Sequence, residues 1–191
     1  KYLFDNNVNG IADMIKKADE HSANMTIETE AGVKYLTLYM QNGKVSSVKV
    51  DMGKPEFTPA NIPTRIQIPE GKEAIVNAPI NVEGIDYSAT VLSVGNPHCV
   101  VFSGFVDKID VARIGPLFEN HRAFPSRVNA EFVRVVGRNE LKVRTWERGN
   151  GETPACGTGA CAAAIAAVLN GHCPMNADIT VKVKGGELIV N

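Results

Sequence analysis

The chain has 191 residues, 44% of them hydrophobic and 21% charged, with a net charge of −1. That is the composition of a globular protein large enough for one ordinary domain or two small lobes. No basic run or face stands out, which argues against nucleic acid and anionic membrane as partners, and no apolar stretch reaches the ~20 residues of a membrane-spanning helix.

Residues 1 to 20 hold weak helical signals, broken at Asn6-Asn7-Val8-Asn9-Gly10. From Met25 the period changes to two. Met25–Glu30 and Val33–Met40 read as strands, and Asn42-Gly43 as a tight hairpin turn because both residues tolerate positive φ. Val45–Val50 makes a third strand. The segment 54–63 carries Pro55, Pro59 and Pro63 and reads as a linker, dividing the chain into lobes at 1–53 and 54–191. Strands resume over Ala74–Val82, Tyr87–Val94 and His98–Phe102, followed by a helix over Val111–Asn120. Ala130–Val136 and Glu140–Trp146 alternate across a turn at 137–139. A glycine-rich loop, Gly149–Thr153, leads into a helix over Thr158–Asn170, with Gly171 at the stop position. Ala177–Val183 and Glu187–Val190 close the chain as strands.

The run Ala160–Leu169 carries no charge on any face. A helix that is apolar all round belongs in a buried setting. Among so many antiparallel strands, the expected setting is a curled sheet wrapped around it.

The densest chemistry lies in Glu147-Arg-Gly-Asn-Gly-Glu-Thr-Pro-Ala-Cys-Gly-Thr-Gly-Ala160. Cys156 falls between a glycine-containing loop and a helix start, where free N–H groups and the positive end of the helix dipole lower a thiol's pKa. The N–H groups of Gly157 and Thr158 suit a carboxylate. Without that setting, a structural cysteine beside a plain turn would be the default reading. Arg148 offers a bidentate clamp for a carboxylate, and Glu147 can meet an ammonium group or tune a thiol, although an exposed surface pair accounts for the two equally well. Gly95-Asn-Pro-His98 follows a strand. A simple turn with a satisfied histidine competes there with His98 as an acid–base group. Asn129 opens a strand.

Four cysteines are present, Cys99, Cys156, Cys161 and Cys173. No export signal is visible, so reduced thiols in the cytoplasm are expected. His98-Cys99 and His172-Cys173 suggest metal ligation, but neighbours on a strand point to opposite faces, and no CxxC or HxxxH spacing occurs. No metal site is expected, and Cys161 and Cys173 read as small core residues.

Taken together, Glu147–Cys161, Gly95-Asn-Pro-His98, Gly115–His121 and Arg127–Val133 resemble the diaminopimelate epimerase family, in the family's order and over most of the chain from about Thr26. The resemblance implies an α+β fold of two lobes, each a β-barrel-like sheet around a central helix, with the first lobe incomplete here. It implies cofactor-independent epimerisation of LL-diaminopimelate to the meso form, in lysine and cell-wall precursor biosynthesis, by two cysteines acting as acid and base. Cys156 would be one of them. His98 and Glu147 would tune the thiols, and Asn96, Asn129, Glu147 and Arg148 would hold the distal amino-acid end of the substrate. Gly157 and Thr158 would hold the reacting end. Diaminopimelate is then the small-molecule partner, no cofactor is required, and the complete protein is expected to be a homodimer.

The family's other cysteine segment, Cys-Gly-Asn-Gly, has no counterpart here. The chain is therefore expected to be part of a longer polypeptide and inactive alone. Three competing readings are a non-catalytic lobe that binds a diamino-diacid, a related two-thiol racemase such as proline racemase, and a cysteine-nucleophile enzyme using Cys156 and His98.

Overall fold

The computed structural model describes residues 16, 17, 19, 21–29 and 32–191. The helical signals read over residues 1 to 20 lie mostly outside these. Where the two overlap, Lys16–Lys17 is a strand (β1) rather than helix, because it pairs antiparallel with the next strand. The architecture is mixed α+β, with two sheets and few helices. Compact units divide between Gly53 and Lys54.

The first unit is a four-stranded antiparallel sheet of β1, β2 (Ser22–Thr29), β3 (Gly32–Gln41) and β4 (Lys44–Val50), in that order. Asn42 and Gly43 both take positive φ at the β3–β4 hairpin, as the turn chemistry requires. Period-two patterning places Ala23, Leu38 and Val45 in a small core against Met25 and Met40.

The second unit holds β5 (Ile75–Val82), β6 (Ile85–Ser93), β7 (Pro97–Phe102), a 3₁₀ turn at Val106–Lys108, α1 (Val111–Glu119), β8 (Asn129–Gly137), β9 (Glu140–Glu147), β10 (Gly151–Thr153), α2 (Gly157–Leu169), β11 (Ile179–Val183) and β12 (Gly186–Val190). These strands form an eight-stranded sheet in the order β12-β11-β9-β8-β7-β6-β5, with β10 paired to β9. Most neighbours are antiparallel, but β7–β8 and β9–β11 run parallel. The first parallel pair positions the site. It sets His98 opposite Asn129 and Val100 opposite Glu131, so residues more than thirty positions apart share one face.

Helix α2 packs against β6, β7, β8, β9, β11 and β12, the curled sheet expected around it. Its alanines at 160, 162, 163, 164, 166 and 167 are buried and let the strands come close. The burial is not complete all round, however. Cys161, Ile165 and Val168 are only half-buried and Leu169 is exposed, a stripe at helical spacing. On the other side of the sheet, Tyr87, Phe118 and Phe132 meet edge to face, within a core that includes Ile62, Ile75, Val91, Cys99 and Val128.

The segment read as a linker is docked rather than free. Glu56 exchanges both backbone hydrogen bonds with Ser93, and Ile62 is fully buried. The Glu56 carboxylate accepts from the N–H groups of Phe57 and Thr58 and from the Asn61 amide. That donor cage lowers its pKa to about 2.

Candidate active site

Cys156 is the N-cap of α2. Its Sγ accepts the N–H of Gly159 at 3.3 Å and lies 3.4 Å from the Thr158 hydroxyl. Helix geometry leaves the N–H groups of Gly157 and Thr158 without intrahelical acceptors, and a Cβ at Gly157 would meet nothing within 4 Å. Gly157 therefore borders open space. Gly159 does not. A Cβ there would crowd Glu131 Oε1, Cys156 Sγ and Thr145 Oγ1. Its glycine makes room for a thiol and a carboxyl, not for close approach of a ligand.

At Cys156 burial outweighs the donors of the helix start, and the net shift is upward rather than downward as the sequence suggested. Burial pushes Cys156 up; the Thr158 hydroxyl and the Gly159 N–H pull it back down, while the Glu131 and Glu147 carboxyls add to the rise. Desolvation wins because the residue is only 8% exposed.

His98 is fully buried on β7. Its Nδ1 lies 2.8 Å from Glu131 Oε1 and its Nε2 2.9 Å from Asn96 Oδ1. Both ring nitrogens are thus engaged inside the protein, and His98 reaches its surroundings through these two partners. Burial also raises the Glu131 pKa against the opposing pull of His98.

Asn129 joins two loops. Its Nδ2 donates to the Pro97 carbonyl and its Oδ1 accepts the Arg148 N–H. Asn129 is 3% exposed, and its amide ties the Pro97 loop to the backbone at Arg148. The Arg148 guanidinium donates to the Ser126 carbonyl. Glu147 accepts from the Thr153 hydroxyl across the β9–β10 hairpin.

Two acidic residues of this network carried no role in the sequence reading. Glu131 is one. The other is Glu119, only 6% exposed, which accepts from Arg127, from the Trp146 indole and from the Gly149 N–H. Both stand inside segments that mark the family resemblance, yet only the cross-strand geometry shows what they touch. Among the described residues, no group of three or more His, Cys, Asp or Glu side chains is placed to hold a metal ion, and no helix is long and apolar enough to cross a membrane.

A family profile for diaminopimelate epimerase matches residues 90–191. The chain is 44% identical over 193 residues to the diaminopimelate epimerase of Desulfovibrio desulfuricans, covering all of this chain and 63% of that protein. It is 49% identical over 164 residues to that of Acetivibrio thermocellus, covering 86% of this chain and 56% of the relative. The chain thus spans less than two thirds of these curated relatives. Among solved structures, a hydroxyproline epimerase from Agrobacterium vitis superposes with a TM-score of 0.64 at 16% identity, covering 92% of this chain and 52% of that one. A probable proline racemase from Agrobacterium radiobacter gives 0.61 at 15% identity, covering 91% and 57%. These two likenesses establish the fold. The sequence matches carry the assignment further: the chain belongs to the diaminopimelate epimerase family.

Proposed function

We propose that the complete protein interconverts LL- and meso-diaminopimelate without a cofactor, through two thiols acting on opposite faces of the α-carbon, and that this chain supplies one of them, Cys156. The observation that carries the reading is the thiol's position. Cys156 caps a helix whose next two N–H groups have no intrahelical acceptor and border open space at Gly157. A carboxylate held by Gly157 and Thr158 places its α-carbon beside the sulfur. Removing the α-proton pushes charge onto that carboxylate, where the N–H groups stabilise it.

With its pKa raised by burial, Cys156 rests as a thiol and is set to deliver a proton. It becomes a base when a cationic α-ammonium group enters beside it and offsets the nearby carboxyls. Glu147 and His98 tune the thiols. Asn96, Asn129, Glu147 and Arg148 hold the distal amino-acid end, and Asn129 also fixes the Arg148 backbone. Recognition of that second end selects diaminopimelate over ordinary amino acids. The family resemblance adds a homodimer and a role in lysine biosynthesis to the proposal.

The test is α-deuterium uptake by diaminopimelate in heavy water. The complete protein is expected to exchange and invert the substrate, and Cys156→Ala to lose inversion by at least about 100-fold, the usual scale for a positioned acid–base group. Intact inversion in Cys156→Ala would falsify the assignment.

A further inference from the structure

The buried trio Glu131, His98 and Asn96 has a proton arrangement that its burial decides. Glu131 and His98 are each fully shielded from solvent, and their 2.8 Å contact holds one hydrogen between Oε1 and Nδ1. Glu131 Oε2 is buried with no hydrogen-bond partner, so a proton on it would be an O–H without an acceptor, and three proton placements remain. Imidazolium with carboxylate is neutral as a pair, and so is imidazole with carboxylic acid. Neutral imidazole with carboxylate leaves a net charge of −1 in a site without a cationic partner, and such a charge is costly to bury. Glu131 Oε2 has no hydrogen-bond partner either, which makes an uncompensated carboxylate costlier still.

Both neutral placements share one consequence. In imidazolium each ring nitrogen bears hydrogen. In the acid form Glu131 donates to Nδ1, so the ring's own hydrogen sits on Nε2. Either way Nε2–H donates, and the group it faces at 2.9 Å must be an acceptor. That acceptor is Asn96 Oδ1. The other end of the amide, Nδ2, then stays available as a donor; it has no hydrogen-bond partner among the described residues, and Asn96 is half-buried rather than shielded.

We propose that Glu131 is a positioning residue for substrate recognition: by sharing one proton with His98 it keeps a hydrogen on Nε2, which fixes the Asn96 amide with Nδ2 outward as a donor to a carboxylate of the substrate. The proposal rests on the functional reading above. Glu131 touches no substrate and acts through His98 and Asn96. The neighbouring titratable groups, Cys99, Glu147 and Cys156, are acids, and none supplies a cation that would stabilise the excluded charged state.

The decisive measurement is ¹⁵N NMR of the histidine-labelled protein without substrate, with the His98 signal assigned by its loss in His98→Gln. The expected result is a hydrogen on His98 Nε2, retained in Glu131→Gln, whose amide can donate to Nδ1. A wild-type Nε2 without hydrogen overturns the proposal. The kinetic arm uses Glu131→Met, which cannot share a proton. Its KM for diaminopimelate is expected to rise about tenfold or more with a smaller change in kcat, and Glu131→Gln to restore KM. An unchanged KM in Glu131→Met overturns the proposal as well. Should Glu131→Met fail to fold, the wild-type spectrum still decides. Should the protein fail to epimerise diaminopimelate, the functional reading falls, while the spectrum continues to test the proton arrangement by itself.

Discussion

At the scale of single residues, the reactivity of Cys156 is a contest between burial and local donors. A thiol at a helix start is a familiar route to a thiolate, but here the sulfur is nearly enclosed and faces two carboxyls. The Thr158 hydroxyl and the Gly159 N–H favour the thiolate. The signs of two substitutions follow. Glu147→Gln removes a negative charge, lowers the Cys156 pKa and speeds alkylation at fixed pH. Thr158→Val removes a donor to sulfur, raises the pKa and slows it. Each change is expected to be a few-fold to about tenfold, one pKa unit being a factor of ten in thiolate. Iodoacetamide labelling of the Cys156 peptide, followed by mass spectrometry across pH, reads both. Faster labelling in Thr158→Val would show that the hydroxyl does not support the thiolate.

At the scale of elements, the site is a set of loops tied together by buried polar side chains. Helix α1 governs one of them. Gly115 leaves no room for a Cβ against the Trp146 indole, and that indole donates to Glu119 at 2.7 Å. Glu119 also holds Gly149, at the glycine loop, and Arg127, whose φ of 60° is left-handed. Gly115→Ala is expected to destabilise the protein by about 1–3 kcal/mol through overpacking. Glu119→Leu is expected to cost a similar amount, about 1.5–3 kcal/mol for hydrogen bonds to a charged group, and to loosen the backbone beside Arg148. Urea unfolding, with hydrogen exchange at Gly149, measures both effects, and wild-type protection at Gly149 in Glu119→Leu would refute the tie. Much of this scale was legible in the sequence. Helix α1 was expected over Val111–Asn120 and occurs over Val111–Glu119, and α2 was expected over Thr158–Asn170 and occurs over Gly157–Leu169, because periodicity and the stop at Gly171 are local signals. The parallel β7–β8 pairing was not legible. Nothing near His98 names the strand that will lie beside it, so the Glu131 contact and the clamp made by Asn129 came only with the fold. The docking of residues 54–63 was hidden for the opposite reason: proline-rich composition looks the same in a free linker and in a segment pinned by Glu56 and Ile62.

At the scale of the whole chain, the proposed chemistry asks for two acid–base groups on opposite faces of one carbon, and the cysteines here do not supply two. Cys99 is fully buried and its pKa is pushed far up by burial and by Glu131. Cys173 is buried near the end of α2, and Cys161 sits one helical turn beyond the site with its pKa also raised by burial. Neither caps a helix. Cys156 is the one thiol among the described residues so placed, and both nitrogens of His98 are occupied. Presented with diaminopimelate in heavy water as the only protein, the 191-residue chain is therefore expected to give no inversion at the α-carbon. Exchange confined to one isomer would mean that Cys156 works alone as a one-sided base. Exchange with inversion would mean that a second acid–base group lies within these 191 residues, and the requirement for a second thiol from outside them would be withdrawn.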